Sequence, residues 1–218
     1  MTFLELTQEL ARLAGMAGNG GPAQVTGQHG EYRRAVEFVR ISYEEIVNRH
    51  PDWLFLWATD SYEVDPGLSV YPPPPELHIW DAQRLTLDGE PLPCIDWQDH
   101  QSDQDYEGRP TTAVLRPDNK LLLVPTPNEA HVLSFEFYKD APPLTESMDV
   151  PLIPARYQRV ILGRALMMYG NYENAEDAKM QGQEIYQMYL QRLENHQLPR
   201  RQQTYGRQES APIRVEVE

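Results

Sequence analysis

Asp96, Asp99, His100, Asp103 and Asp105 are the densest group of metal-capable side chains in the sequence. Convergent carboxylates are what a hard cation requires, and a cation held this way would serve a phosphodiesterase or nuclease. The ligand order of a calcium loop is missing, as are its central glycine and terminal glutamate, so a solvated acidic loop is the simpler reading. Metal-dependent cleavage would separate the two. His29, His50, His78, His100, His131 and His196 are scattered, with neither a zinc-protease pair nor a Cys-His pattern, and they read as structural or surface residues. Cys94 lies between Pro93 and Ile95 without an evident base, and no Gly-x-Ser-x-Gly elbow occurs, so a nucleophile is unsupported. Gly18, Gly20 and Ala23 formally fit a dinucleotide-binding pattern, but no strand precedes them and no Lys-Ser/Thr pair follows. The expectation is a protein that is not an enzyme and carries no cofactor or metal.

The elements that surround these residues are organised by the stretch from Pro154 to Leu198. Tyr157, Val160, Ile161, Leu162, Ala165, Leu166, Met167, Met168 and Tyr169 make one helix apolar around most of its circumference, which predicts a central, enclosed element. Gly170 and Asn171 favour a helix end or restart. Beyond them Tyr172, Ala175, Ala178, Gly182, Ile185, Tyr189 and Leu193 recur at steps of three and four, the pattern of a one-faced helix folding back on the first. One hairpin cannot bury such a helix, so two more helices are required. The N-terminal part offers them. Thr2 and Glu5 fit a capping box before Phe3, Leu6, Leu10 and Leu13, and a second helix starts near Glu31, carries Val36, Val39, Tyr43, Ile46 and Val47, and stops before Pro51. The glycine-rich stretch between Gly15 and Gly30 reads as an ordered or semi-ordered surface loop.

Residues 53–143 differ in texture. Short strand candidates appear at Leu77–Trp80 and at Arg84–Leu87, the latter closed by Asp88-Gly89; others follow at Thr111–Arg116, Leu121–Pro125 and His131–Lys139. In the last, Val132, Ser134, Glu136 and Tyr138 oppose Leu133, Phe135 and Phe137. Prolines at both margins and between strands are expected to blunt the edges of this module. The fold class expected is therefore α+β: an antiparallel four-helix bundle with an inserted small antiparallel β module and an extended C-terminal tail. Residues 1–52 supply helices one and two, 53–143 the β module, 144–198 helices three and four, and 199–218 the tail.

A net charge of −14 argues against a surface that coats nucleic acid, and the single cysteine cannot form an intrachain disulfide. The N-terminus lacks the basic and apolar regions of a signal peptide, and no run approaches a membrane span, so a protein assembled in a cytoplasm, with no membrane partner, is expected. The tail reverses the trend: its four arginines against three glutamates give +1 and leave the body at −15. It lacks helical periodicity and reads as mobile when alone. Ile213, Val215 and Val217 alternate with Arg214, Glu216 and Glu218, a strand with one apolar face and no partner nearby in the chain. Such a strand can add to another molecule's sheet.

Read as a whole, residues 2–57 resemble the head-to-tail adaptor, or connector, proteins of tailed bacteriophages. The resemblance rests on Gly27-Gln28-His29-Gly30, Asn48-Arg49-His50-Pro51-Asp52-Trp53, Gly108-Arg109-Pro110 and the run from Val150 to Tyr157, in that order and spacing. None of these is a catalytic motif. The resemblance implies a virion structural protein of the phage neck, forming a ring, typically of twelve copies, beneath the portal protein. It further implies tail or nozzle proteins as partners and double-stranded DNA passing through the lumen without sequence-specific binding. By the same analogy Arg200, Arg201, Tyr205, Arg207, Ile213, Arg214, Val215 and Val217 are expected to form a portal-docking arm. A tail-tube or tail-completion protein of similar make-up is the alternative, separable by which neighbour it touches.

Overall fold

The computed structural model describes residues 1–16, 21–100 and 106–198. Within them the chain is α+β, with four α-helices and sheets built mainly from antiparallel pairs. The expected tail at 199–218 lies outside the described residues, as do Gly18, Gly20, Asp103 and Asp105.

Helix α1 spans Phe3–Leu13 and opens on the expected capping box, with Glu5 N–H donating to the Thr2 hydroxyl and the Glu5 carboxylate accepting from Thr2 N–H. Its remaining free amides reach across the fold. Phe3 N–H donates to Asp149 O at 2.8 Å and Leu4 N–H to Ser147 O at 3.1 Å, so the first turn is satisfied by a loop distant in sequence. Helix α2, Gly30–Val47, buries Ala35, Val39, Tyr43, Ile46 and Val47 and ends before Pro51, as expected.

Helix α3, Arg159–Glu173, follows a single 3-10 turn at Ala155–Tyr157 and contacts each of the other three helices. It runs against α2: Arg164 pairs with Glu45 at one end and Arg34 with Glu173 at the other. Val160, Ile161, Leu162, Ala165 and Leu166 are enclosed, whereas Met167, Met168 and Tyr169 are only half-buried. The hinge expected at Gly170 and Asn171 is corrected. The helix continues through both, and the break comes at Asn174, which adopts the left-handed conformation with φ 55°. Tyr172 therefore belongs to α3, where Phe38 packs beside its ring and the Arg34 guanidinium lies over it.

Helix α4, Glu176–Gln197, folds back on α3 at backbone contact. A Cβ added at Gly163 would lie 2.5 Å from Tyr186 N, and one at Gly182 2.7 Å from Met167 N. One at Gly170 would meet Lys179 N at 2.6 Å. Gly170 is thus a spacer between helices, not a helix end.

The strands are β1 Trp57–Val64, β2 Val70–Tyr71, β3 Leu77–Trp80, β4 Thr86–Leu87, β5 Glu90–Pro91, β6 Cys94–Asp96, β7 Glu107–Gly108, β8 Thr112–Leu115, β9 Leu121–Val124, β10 Thr126–Pro127 and β11 His131–Lys139. β11 organises them. It pairs with β1 over eight residues, from Trp57 opposite Tyr138 to Val64 opposite His131, and its other edge takes β4 and β3 in turn. The Asp88-Gly89 turn closes β4 on β5 with both residues at positive φ, 52° and 84°, as a two-residue hairpin requires. A second sheet runs β2-β9-β8-β6.

Two features of the expected β module are corrected. It is not wholly antiparallel, since β6 lies parallel to β8 and β7 parallel to β10. Nor are its edges all blunted by proline: among the described residues β1 is an eight-residue edge strand without one. Its edge is modified by a carboxylate instead, because Asp60 Oδ1 accepts the Ser61 N–H at 2.8 Å.

Candidate functional site: the joint between helices and sheets

The hydrophobic interior forms two clusters, one among the helices and one among the strands. β11 serves both. Leu133, Phe135 and Phe137 face the sheet cluster, while Tyr138, on the opposite face, is buried against the helical cluster. Period-two alternation assigns the faces correctly but does not reveal that the second face is covered at one end.

Trp53 sits where α2 gives way to β1 and is fully buried, with its indole N–H donating to Ile46 O at 3.2 Å. Its ring stacks with Phe55 and meets His50 edge-on. Beside it, Arg49 Nε donates to Glu194 Oε1 at 2.9 Å and His50 Nε2 lies 3.3 Å from the same oxygen. The Asn48–Trp53 segment thereby ties the end of α2 to the last turns of α4. The Val150–Tyr157 run has a matching role. Gln158, 2% exposed, donates through Nε2 to Ile153 O at 3.1 Å and accepts at Oε1 from the Met1 amino group at 2.6 Å. Tyr157 stacks on His196 of α4. Two of the four stretches on which the family resemblance rests are thus tied to α4.

The loop between β11 and α3 is fixed by Asp149. Its Oδ2 accepts from Thr145 N–H and Glu146 N–H, each at 2.7 Å, and from the Thr145 hydroxyl at 3.2 Å. The Glu146 and Thr145 amides hold its carboxyl below the usual carboxylate range. Asp88 is held low in the same way, first by the Val132 N–H and then by His131, whose Nδ1 lies 2.7 Å from it.

Of the residues singled out for chemistry, those that are described lie as follows. Asp96 ends β6, and Asp99 and His100 follow on a 3-10 turn; both carboxylates are exposed and the His100 ring lies beside Trp97. Among the described residues no three His, Cys, Asp or Glu side chains gather as a metal site. Burial, and then the Asp96 carboxylate, push the Cys94 thiol up, away from the thiolate a nucleophile needs. The histidines at 50, 78 and 131 face Glu194, Asp140 and Asp88, partners too remote in sequence to be read from spacing. Arg200, Arg201, Tyr205, Arg207, Ile213, Arg214, Val215 and Val217 lie outside the described residues. No helix among the described residues is long and apolar enough to cross a membrane.

At this joint buried aromatics and a buried amide fix the relative placement of helices and strands. The chain belongs to the SU10 adaptor protein family, whose profile matches residues 1–216, and is accordingly a bacteriophage adaptor. No curated protein matches it at a significant level.

Proposed function

We propose that the protein is a head-to-tail adaptor that forms a ring beneath the portal, joins capsid to tail and surrounds the channel through which the DNA leaves. The observation that carries this reading is the family match over nearly the whole chain. In this reading the four helices act as an antiparallel bundle built from residues 1–52 and 144–198, with residues 53–143 as an inserted module and 199–218 as an extended arm. The portal lies above, tail or nozzle proteins below, and the ring contains about twelve copies, by analogy with head-to-tail adaptors at large and the closed symmetry of such assemblies. An acidic body of −15 suits a lumen in which DNA slides without sticking. The protein assembles in the host cytoplasm and resides in the neck of the virion.

The arm docks on the portal. Ile213, Val215 and Val217 supply one apolar face of a strand that completes a sheet edge there, Arg214 lies on the strand's other face, and Arg200, Arg201, Tyr205 and Arg207 guide the approach. Electron microscopy of the purified protein with and without cognate portal rings tests the reading. Rings are expected on the portal, with the free protein monomeric or weakly associated, because many copies of a −14 chain repel one another. A chain ending at Leu198 is expected to keep its melting temperature and lose portal binding. Unchanged binding would remove the arm from the account.

A further inference from the structure

One stretch of the sheet surface combines exposed apolar side chains with negative charge. Trp57, Tyr138 and Ile79 stand opposite one another on β1, β11 and β3, and so share one face. Tyr138 in the middle is buried, whereas Trp57 and Ile79 on either side are 45% and 43% exposed. Three half-buried carboxylates rim this row. Trp57 Nε1 donates to Glu136 Oε2 at 2.9 Å, and the Tyr138 hydroxyl has its pKa raised first by burial and then by Asp81, Asp52 and Glu136. Among the described residues none of the three carboxylates is in an ion pair. The nearby cations are placed otherwise: Arg49 is held by Glu194, and Arg84 lines the groove beyond Glu136 with Thr86 and Ser134. An arginine lies over each of Tyr172, Trp97, Tyr157 and Tyr189, but among the described residues none lies over Trp57.

We propose that residues 200–207 of the same chain dock on this row, with arginine guanidinium groups against Asp52, Asp81 and Glu136 and over the Trp57 ring. Charge selects the occupant. The segment reads Arg-Arg-Gln-Gln-Thr-Tyr-Gly-Arg, three cations and an aromatic ring with no carboxylate, on a body of −15. Guanidinium suits both halves of the row, since it pairs with carboxylates and stacks on indole. The tether selects the chain's own copy. Glu194, in the last turns of α4, grips Arg49 and His50, and Asp52 follows two residues after His50. The arm therefore starts beside the acidic rim, and the nine residues from Leu198 to Arg207 can span up to ~30 Å. So short a tether gives an effective concentration on the order of mM, enough to fill a weak site that a separate copy would leave empty. The inference concerns the isolated chain and does not rest on the ring. Residues 213–217 stay outside the dock, which sets the direction from which they reach the portal. Exposed ion pairs contribute little to the fold, so the dock does not alter the melting temperature.

Hydrogen exchange of the full chain, at low concentration and low salt, tests this. Amides of residues 200–207 are expected to exchange ~10-fold more slowly in the parent than in Trp57→Ala or in the triple variant Arg200→Gln, Arg201→Gln, Arg207→Gln, each rate taken relative to that of the unstructured sequence. The triple variant leaves the body untouched, so protection lost there does not come from unfolding. Raising the salt to ~0.5 M is expected to remove most of the protection in the parent. Asp52→Lys with Asp81→Lys, and Arg200→Glu with Arg201→Glu, should each lose the protection, and the chain carrying all four changes should regain it. Equal rates in the parent and both variants would overturn the proposal and leave the ring reading as it stands. Protection that appears only as chain concentration rises would give the row to the arm of a second copy, and would overturn the dock within one chain.

Discussion

The α3–α4 contact and the sheet around β11 are both interior, yet they are closed by opposite means. Between the helices it is the absence of side chains that allows contact: Gly163, Gly170 and Gly182 let two backbones approach until no Cβ fits. Around β11 the space is filled by rings, with Phe135 packed against Tyr62, Trp80 and Phe137 at centroid separations of 4.8 to 6.0 Å. A backbone contact has no rotamer with which to relax, whereas rings can shift to absorb a small change in volume. The helical hairpin should therefore be the intolerant half of the protein and the sheet the adaptable one.

The largest effect expected is at the hairpin. Gly163→Ala places a methyl 2.5 Å from Tyr186 N and 2.8 Å from Tyr186 Cα, so α4 must move as a body. A loss of about 3 kcal/mol is expected from such overpacking, despite alanine's better helix propensity, worth about 1 kcal/mol. Gly182→Ala should behave alike. Urea unfolding of either variant checks this, and a loss below about 1 kcal/mol would erase the contrast. At the sheet, Phe135→Leu keeps the site apolar while removing part of the ring volume, and about 1 kcal/mol is expected from a change that neighbouring rings can partly fill. A loss there as large as that at Gly163 would show that the ring cluster is as rigid as the hairpin.

The same contrast decides what could be read from the sequence. β11 was legible because its two-residue alternation is local, and the Asp88-Gly89 turn because both residues tolerate positive φ. The glycines of α3 and α4 were not. Gly170 resembles a helix end in its local context, and only the approach of Lys179 from the next helix shows that it is a spacer. The joint was half legible: the order of Asn48–Trp53 and Val150–Tyr157 pointed to an adaptor, but the grip of Arg49 and His50 on Glu194 spans more than 140 residues and has no local signature. The edge at β1 depended on strand order, which periodicity does not encode.

The smallest effect expected lies in the loop that connects the two halves, and it is a change in pH dependence more than in stability. Asp149 has its carboxyl pKa lowered by the Glu146 and Thr145 amides, so the folded state favours the ionised form relative to the unfolded chain. A group of this kind contributes stability above its unfolded pKa of about 4, and that contribution fades as pH falls through the folded value. Asp149→Asn removes the charge but keeps an oxygen that accepts from one or two of the same donors. At pH 7 the variant should therefore melt a few degrees below the parent, since neutral acceptors bind amides less strongly than a carboxylate does. As pH is lowered from 5 towards 3 the parent should lose its advantage and the two melting curves should converge. The carbonyls of Ser147 and Asp149 that cap α1 come from this loop, so the amides of Phe3 and Leu4 should exchange faster in the variant at pH 7. Melting temperatures that stay equally separated across this range would mean that Asp149 acts by its shape and not by its charge, and that the joint owes nothing to a titrating group at this position.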